Sequence, residues 1–370
     1  MNQLITIKEI ARQALPRLME NLVFPNLIHK DFSKDFVNGK GDKIQVRKPV
    51  VLSAEDFDQM GGISPQDIEE TSVEVTLDKL ATVDVEFTAL QSATSIDDLN
   101  RLFIEPAAAA LAQKINADGL ELYKDIYNTA LTAGTTPSTL KDLSEVRKVM
   151  NKEKVPVTNR KAVWDTEADA SFTTIDAIVN AEKSGSSKAL REGSIGRIFG
   201  LDNYMSQAVK KHETGITGAT AVKVNGAAAK GADKIAIDGT TLTGKLVKGD
   251  LLTIGGNTYT VTKDTEEATS NAIAEVCISP NLAEDVKDNA EVKLVSSHTA
   301  NLAFNPMAFA FVTRPLATPS GVESYVTSYN GITLRVVKGY DMKYKKDIIS
   351  MDVLYGYKTM YPSLAVRVLG

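Results

Sequence analysis

The segment 226–231, GAAAKG, has the glycine spacing of a phosphate-binding loop. In such a loop a lysine and a serine or threonine come next, because the lysine reaches the phosphates and the hydroxyl holds magnesium. Here the next residues are Ala232 and Asp233, and an aspartate would repel the anion. The glycine pair 255–256 leads into a predicted strand rather than a helix N-terminus that could hold phosphate. Both segments are therefore predicted to be hairpin turns.

Histidine and cysteine chemistry has little support. His29, His212 and His298 lie far apart, and none belongs to an HExxH or CxxC pattern of metal ligands. We expect packing or surface histidines and no metal site. The single cysteine, Cys277, excludes an intrachain disulfide and fits a reducing compartment. Its alternating apolar neighbours favour a buried, unreactive thiol.

Paired carboxylates at 69–70, 97–98 and 266–267 are adjacent in sequence, so they do not converge on one substrate. No G-x-S-x-G nucleophile motif occurs. The sequence therefore predicts no enzyme and no cofactor. An enzyme or small-molecule-binding protein with an accessory β domain stays open as an alternative, and it would need a pocket lined by convergent polar residues.

Composition limits the class of protein. The 370 residues predict two or three domains, and the net charge of −5, without a basic run, argues against tight nucleic-acid binding. The N-terminus lacks the basic and apolar regions of a secretory signal, and no window approaches the ~20 apolar residues of a membrane span. We expect a soluble protein made in the cytoplasm.

An amphipathic helix is predicted near the N-terminus, with an apolar stripe that includes Leu18 and Leu22. Pro16 is expected to interrupt it, and Pro25 to end it. The stripe must pack either on its own domain or on a neighbouring subunit.

A projecting arm is predicted between residues 43 and 88. Strict alternation from Val73 to Phe87, broken at Lys79, predicts one strand of about 15 residues, or roughly 50 Å at ~3.4 Å per residue. A strand of this length does not fit a compact domain, so we expect it to pair with 43–51 around a polar tip at 53–70. Because isolated two-stranded ribbons are marginal in water, another molecule should support this one.

Helices and a β module follow. Residues 95–128 predict a long alanine-rich helix, reset at Pro106, and 140–149 predict a second amphipathic helix. Nine of the 24 glycines fall between Gly215 and Gly256, which indicates a small all-β barrel or sandwich inserted at 214–298. Its strands are predicted around 221–225, 234–238, 250–254, 257–263, 272–278 and 291–295.

The order of segments resembles the major capsid (coat) proteins of tailed bacteriophages, in the branch with an inserted β-barrel. The resemblance rests on these stretches: ENLVFPNLIHKDFSKDF with GDKIQVRKPV, SVEVTLDKLATVDVEFTAL, SIDDLNRLFIEPAAAALAQKINADGLELY, LREGSIGRIFGLDNYMS, KGDLLTIGG, and NLAFNPMAFAFVTRPL with DVLYGYKTMYPSLAVRV. It implies an α+β capsid fold with an N-terminal arm, an extended hairpin loop, a spine helix with a peripheral sheet, and an axial domain. The expected divisions are 1–42 (arm), 43–92 (extended loop and peripheral strands), 93–138 (spine helix), 139–213 (axial domain), 214–298 (inserted barrel) and 299–370 (axial domain and closing strands).

The resemblance also implies a function. Many copies would form hexamers and pentamers of an icosahedral virion shell around double-stranded DNA, which they enclose without sequence-specific binding. A scaffolding protein and a portal would be partners, no membrane would be involved, and assembly would occur in the host cytoplasm. The arm would lie over an adjacent subunit. The inter-subunit contacts are predicted at Ile44, Val46, Met60, Val73, Val75, Leu77, Val83, Val85, Phe87, Leu18 and Leu22.

Two further readings of the resemblance stay open. One is the shell protein of a cellular nanocompartment with the same fold, which gene neighbours such as a cargo enzyme would distinguish. The other is a different virion component, such as a tail-tube or decoration protein, although those are usually shorter and lack a rod-like helix after an extended hairpin.

Overall fold

The structure is a computed structural model that describes residues 7–30, 43–47, 72–88, 103–185, 188–344 and 346–370. The helices in these ranges are α1 (Ile7–Asn21), α2 (Phe24–Leu27), α3 (Glu105–Leu120), α4 (Leu140–Lys152), α5 (Thr166–Thr173), α6 (Asp176–Val179), α7 (Ala181–Ser184) and α8 (Lys188–Glu192). Short 3-10 turns occupy Glu121–Asp125, Pro306–Ala308 and Pro362–Leu364.

Strands make up most of the remaining regular structure. In chain order they are β1 (Lys43–Arg47), β2 (Ser72–Thr76), β3 (Lys79–Thr88), β4 (Thr129–Ala130), β5 (Arg160–Trp164), β6 (Arg197–Ile198), β7 (Leu201–Met205), β8 (Lys211–His212), β9 (Thr220–Val224), β10 (Lys234–Thr240), β11 (Leu251–Ile254), β12 (Asn257–Val261), β13 (Ala272–Ser279), β14 (Val292–Leu294), β15 (His298–Phe304), β16 (Phe309–Arg314), β17 (Glu323–Tyr329), β18 (Ile332–Asp341), β19 (Lys346–Thr359) and β20 (Ala365–Leu369).

The chain divides into two compact units. The first consists of Met1–Pro16, Lys30–Ala107 and Ala310–Met360, and the second of Arg17–His29, Ala108–Phe309 and Tyr361–Gly370. The six predicted divisions do not follow these units, because 1–42, 93–138 and 299–370 each include parts of both, and they stay a proposal.

The first unit is built on a sheet with the strand order β16-β19-β18-β17, in which β3 also pairs with β19. The 14-residue β19 is its centre, because β18 and β3 both pair with it from Lys346 onward. Strands β1 and β2 form a separate two-stranded antiparallel ribbon.

The predicted 15-residue strand over 73–87 is wrong in length, and its predicted partner, 43–51, pairs only with its first part. It is two strands, β2 and β3, separated by Leu77 and Asp78, and only β2 pairs with β1. Strand β3 pairs with β19 of its own chain, from Lys79↔Tyr355 to Thr88↔Lys346. The alternation continues through both strands because each has one apolar face, but alternation does not specify the strand on the other side.

The second unit contains a mixed sheet with the order β4-β20-β15-β5-β7-β6, to which β8 adds through β15. Helix α4, predicted from its period, begins at a capping box formed by Thr139 and Asp142 and buries Leu143, Val146 and Met150. These side chains belong to a core with Trp164, whose ring packs edge-on against Phe172 with centroids 5.0 Å apart.

The second unit also contains a six-stranded sheet with the order β14-β11-β12-β13-β10-β9. Its strands agree with those predicted for the glycine-rich region to within about two residues at each end. An isolated bridge joins Lys223 in β9 to Glu291, next to β14, so the sheet is nearly closed. Leu252, Val261, Ile237 and Val276 are among the side chains that fill its interior.

Two helix predictions are corrected. Helix α1 runs through Pro16. Proline has no N–H to donate to the carbonyl of Arg12, four residues earlier, and because both residues are exposed, water can bind that carbonyl instead. Pro25 lies in the first turn of α2 instead of ending α1. The long helix predicted to reach residue 128 ends at Leu120, directly after a glycine, and continues as a 3-10 turn. Its predicted start at Ser95 lies outside the described residues.

Candidate functional site

The ribbon of β1 and β2 brings four of the predicted contact residues together. Ile44 pairs with Val75 and Val46 with Val73, which fits the predicted pairing with residues 43–51 and adds its register. An exposed ion pair of 2.6 Å joins Lys43 Nζ to Glu74 Oε1 across the ribbon. Val75 is fully buried and Val73 is half-buried, so the chain itself already covers one face of β2.

The base of the ribbon crosses β19 at Gly356. A Cβ atom at this glycine would lie 2.1 Å from the carbonyl oxygen of Thr76 and 3.3 Å from the Cα of Leu77. Only a residue without a side chain permits this approach, which anchors the end of β2 on the central strand of the sheet. Leu77 is buried beside it.

The other predicted contact residues lie apart from the ribbon. Val83 and Val85 are half-buried on β3 and face Met351 and Ile349 of β19 in register, while Phe87 pairs with Asp347. Leu18 and Leu22 are buried, so the apolar stripe of α1 is covered within this chain. Met60 lies outside the described residues. A role of the eleven residues between subunits stays a prediction.

The hairpin between β18 and β19 presents apolar side chains that the sequence analysis did not single out. Tyr340, Met342 and Tyr344 are 54%, 80% and 62% exposed. The carboxylate of Asp341 fixes the turn by accepting hydrogen bonds from the backbone N–H groups of Lys343 (2.8 Å) and Tyr344 (3.3 Å). Adjacent large apolar side chains on one exposed turn are typical of a protein-binding surface. The available signal was the motif DMKYKKD between two strand patterns.

A buried polar cluster joins the six-stranded sheet to the mixed sheet. It consists of Tyr123, His212, Asp250, His298 and Arg367, and we call it the neck cluster. His212 in β8 and His298 in β15 are direct partners across an antiparallel pair, with ring centroids 5.6 Å apart. The expectation of packing histidines holds for these two, but they lie next to each other although 86 positions separate them.

The hydrogen bonds of the neck cluster form a line. His212 Nε2 lies 2.9 Å from Asp250 Oδ1, and Tyr123 Oη lies 3.1 Å from His212 Nδ1. A carboxylate only accepts, so Nε2 carries a proton, and in the neutral imidazole Nδ1 accepts from the tyrosine hydroxyl. The other carboxylate oxygen of Asp250 accepts from the backbone N–H groups of Val247 (2.8 Å) and Gly215 (3.3 Å).

Arg367 supplies the positive charge of the neck cluster. Its guanidinium lies over the ring of Tyr123 at 4.5 Å, and Nη1 donates to the carbonyl of Gly249 at 2.6 Å. Gly249 has φ +95°, and a Cβ there would lie 2.7 Å from the side chain of Lys124, so glycine is required. Burial lowers the pKa of Arg367 to about 9 and raises that of Tyr123.

His298 is held in the neutral form. Its Nδ1 lies 2.7 Å from the carbonyl oxygen of Ser296, so Nδ1 carries the proton. The lone pair of Nε2 has no hydrogen-bond partner among the described residues. Burial, followed by the positive charge of Arg367, lowers the pKa of His298 to about 4.

Catalysis by the Tyr–His–Asp line would require access. The side chains of His212 and Asp250 are each 3% exposed, so a substrate would have to displace the neck strands to reach them. Within the described ranges, no group of three or more His, Cys, Asp or Glu side chains has the geometry to hold a metal ion. Cys277 is half-buried instead of buried, with its Sγ 3.6 Å from Glu275 Oε1. No helix in the part of the chain that the structure describes is long and apolar enough to cross a bilayer.

Comparison with known proteins identifies the fold. No protein-family model and no curated protein matches the chain. The structure of Mycobacterium phage Che8 aligns with a TM-score of 0.53 at 18% identity over 94% of this chain and 90% of that one. The capsids of cyanophage P-SCSP1u (TM-score 0.48, 12% identity, 89% and 84% covered) and Ralstonia phage GP4 (0.46, 10%, 89% and 83%) align less well. The chain therefore shares the fold of a phage structure over nearly the whole of both chains, which agrees with the resemblance inferred from its sequence.

Proposed function

We propose that this chain is the major capsid protein of a tailed phage, a structural subunit that assembles with copies of itself into an icosahedral shell. The observation that carries the proposal is the likeness to the Che8 structure, because it extends over nearly the whole of both chains and includes both compact units. The neighbours with capsid titles are assembled shells, which supports self-association.

The β1–β2 ribbon supports a role as an assembly arm. Its strands pair with each other and, among the described residues, with no third strand, so each strand has one edge without a ladder partner. A two-stranded ribbon gains little stability alone. We propose that a second copy of the chain provides the missing cover, in hexamers and pentamers.

The hairpin with Tyr340, Met342 and Tyr344 is the second proposed assembly surface. Three large side chains on one turn bring apolar area that water does not favour. A neighbouring copy that covers them would gain stability without a change in the fold of either subunit.

The six-stranded sheet is proposed to be the inserted β-barrel, with boundaries at 214–298. Its closure is supported by the hydrogen bonds of Val224 with its neighbours: its N–H donates to the carbonyl of Ala290, and its carbonyl accepts from the N–H of Asn289, both at 2.9 Å. Packaged double-stranded DNA, a scaffolding protein, a portal and assembly in the host cytoplasm belong to the same proposal.

Assembly is tested by expressing the chain with and without a scaffolding partner and examining the product by electron microscopy and analytical ultracentrifugation. Closed shells or capsomers are expected. A monomer under every condition would contradict the proposal. The nanocompartment alternative shares the fold and gains no separate support from it. Particles that enclose a cargo enzyme instead of DNA would favour it.

The hairpin surface is tested by the double variant Met342→Asp with Tyr344→Asp. The matched control is Val157→Asp, which adds a charge at another exposed apolar side chain, 63% exposed in the second unit. The double variant should remain folded by circular dichroism and lose shell formation, while the control assembles. Shells at the wild-type yield from the double variant would remove this hairpin from the assembly surface.

A further inference from the structure

We propose that the neck cluster is an acid-operated hinge, which holds the six-stranded sheet in one orientation on β15 and β20 at neutral pH and releases it when His298 takes up a proton. The hinge is a property of the single chain. It goes beyond shell formation and does not depend on it.

The contacts that fix this orientation converge on one small area. Besides the neck cluster, Thr260 Oγ1 donates to the carbonyl of Lys124 at 2.8 Å, and Lys248 Nζ lies 2.9 Å from the carboxylate of Asp125. These contacts involve a loop at 247–250, one threonine of β12, and the pair of strands through which the chain enters and leaves the six-stranded sheet. Rotation of the sheet requires all of these contacts to break together.

A proton on His298 would add a positive charge to a buried cluster that already contains Arg367. Arg367 and Asp250 carry one charge each, of opposite sign, and both are buried. The groups that face His298 are Arg367 from β20 and the ring of His212 from β8, with Asp250 and Tyr123 behind His212. Farther out, the carboxylate of Glu121 forms an ion pair with Lys210, with Nζ and Oε1 2.5 Å apart.

Protonation of His298 therefore adds a cation that no acid in the cluster can neutralise. Its Nδ1 already donates to Ser296, and the new N–H at Nε2 would have no acceptor among the described residues while Arg367 repels it. A buried charge without a partner is strongly unfavourable, whereas an opened neck exposes the ring to water. Opening and proton uptake are thus coupled.

The coupling has a defined sign and range. In the closed neck the pKa of His298 is about 4, and in the open neck it returns to 6.5. The closed form is favoured in full above pH 6.5. As the pH falls from 6.5 toward 4, the opening equilibrium constant should rise about tenfold per pH unit, because one more proton binds the open form.

Hydrogen–deuterium exchange of the full chain tests the hinge between pH 7.5 and 4.5, with each rate corrected for the intrinsic pH dependence of amide exchange. Peptides covering 211–216 and 247–261 should lose protection about tenfold per pH unit below 6.5. Peptides covering 140–164, which belong to the core with Trp164, are the internal reference and should keep theirs. Equal loss in both sets, or no loss at the neck, would overturn the proposal.

Two variants separate titration of His298 from other effects of acid. His298→Asn keeps a donor for Ser296 and cannot be protonated, so its neck peptides should show no pH-dependent loss. His29→Asn removes a histidine outside the neck cluster and should behave as wild type. A neck that still opens with acid in His298→Asn would overturn the proposal.

Nuclear magnetic resonance of histidine labelled at the ring provides a readout that needs no variant at the neck. The chain has three histidines, so three ring signals are expected. One signal should titrate near pH 4 or disappear as the neck opens. A His298 signal that titrates near pH 6.5 while the neck peptides stay protected would also overturn the proposal.

Discussion

Replacing Gly356 with alanine should detach the base of the β1–β2 ribbon from the central strand β19. The new Cβ would lie 2.1 Å from the carbonyl oxygen of Thr76, and contacts shorter than 3.0 Å essentially do not occur for a real Cβ. The two backbones must therefore separate by about 1 Å. Because both contacting groups are main chain, no side-chain rotation can relieve the overlap.

The expected loss of stability follows from the packing contacts that this separation weakens. Val75, Leu77 and Ala81 are buried beside the crossing, and a gap of this size forfeits roughly a quarter to a half of each dispersion contact across it. Overpacking of this kind costs about 1–3 kcal/mol, and a clash between two backbones lies at the upper end. We expect the free energy of unfolding of the first unit to fall by about 3 kcal/mol.

Gly339→Ala is the matched control. It lies in β18 of the same sheet, and a Cβ there meets nothing within 4 Å. Its main effect is to reduce the conformational entropy of the unfolded chain. This stabilises the folded protein by about 0.4–1 kcal/mol where the backbone permits alanine. Both variants thus add one Cβ atom to the same sheet, and the expected changes in the free energy of unfolding have opposite signs.

The assay must distinguish the two units. The single tryptophan, Trp164, lies in the second unit, so its fluorescence in urea reports that unit and should be unchanged. Hydrogen exchange of peptides from 72–88 and 346–359 reports the first unit and should show the loss in Gly356→Ala alone. If Gly356→Ala is as stable as Gly339→Ala in these peptides, the argument for a required close approach is wrong.

Three further outcomes are expected. Lowering the pH from 7 to 4.5 should reduce the free energy of unfolding of the second unit by about 2.5 kcal/mol, because the pKa of His298, about 4, lies below its value of 6.5 in the unfolded chain. Urea titrations at both pH values measure this difference. A difference of the same size in His298→Asn would contradict it. Gly215→Ala would place a Cβ 2.0 Å from the carbonyl oxygen of Lys245. Protease cleavage within 214–298 should therefore become faster, while the fluorescence of Trp164 stays that of the native protein. An unchanged cleavage rate would show that this clash does not matter. Asp352→Asn should cost the first unit about 2 kcal/mol, because it removes the charge that binds Arg335 Nε at 2.9 Å in a mostly buried pair; unaltered exchange in β18 and β19 would count against this value.

Local pattern was sufficient for much of the fold. The strands of the six-stranded sheet follow from short alternating segments separated by glycine turns, and α4 follows from its apolar period. In these segments each residue's neighbours in sequence are also its neighbours in the element, so the information is local. The resemblance to capsid proteins depended on the order of such segments.

Contacts between distant segments were not available from pattern. The break between β2 and β3 lies where Thr76 and Leu77 approach Gly356, and the pairing of β3 with β19 joins segments more than 250 positions apart. The neck cluster gathers residues from Tyr123 to Arg367, and none of them has a motif around it. One clue existed: the ends of an insertion must return to one place, so His212 and His298, at the two ends of 214–298, were bound to come close.

That adjacency has a practical consequence. Lys211 and His212 pair with Thr299 and His298 in one antiparallel ladder, so the two ends of the region between them are only ~5 Å apart. A foreign domain whose own termini lie equally close could be grafted in place of the native one. Such a graft would remove Asp250 and Gly249, so Arg367 should be replaced by leucine in the same step to leave no orphaned cation beneath the new cargo.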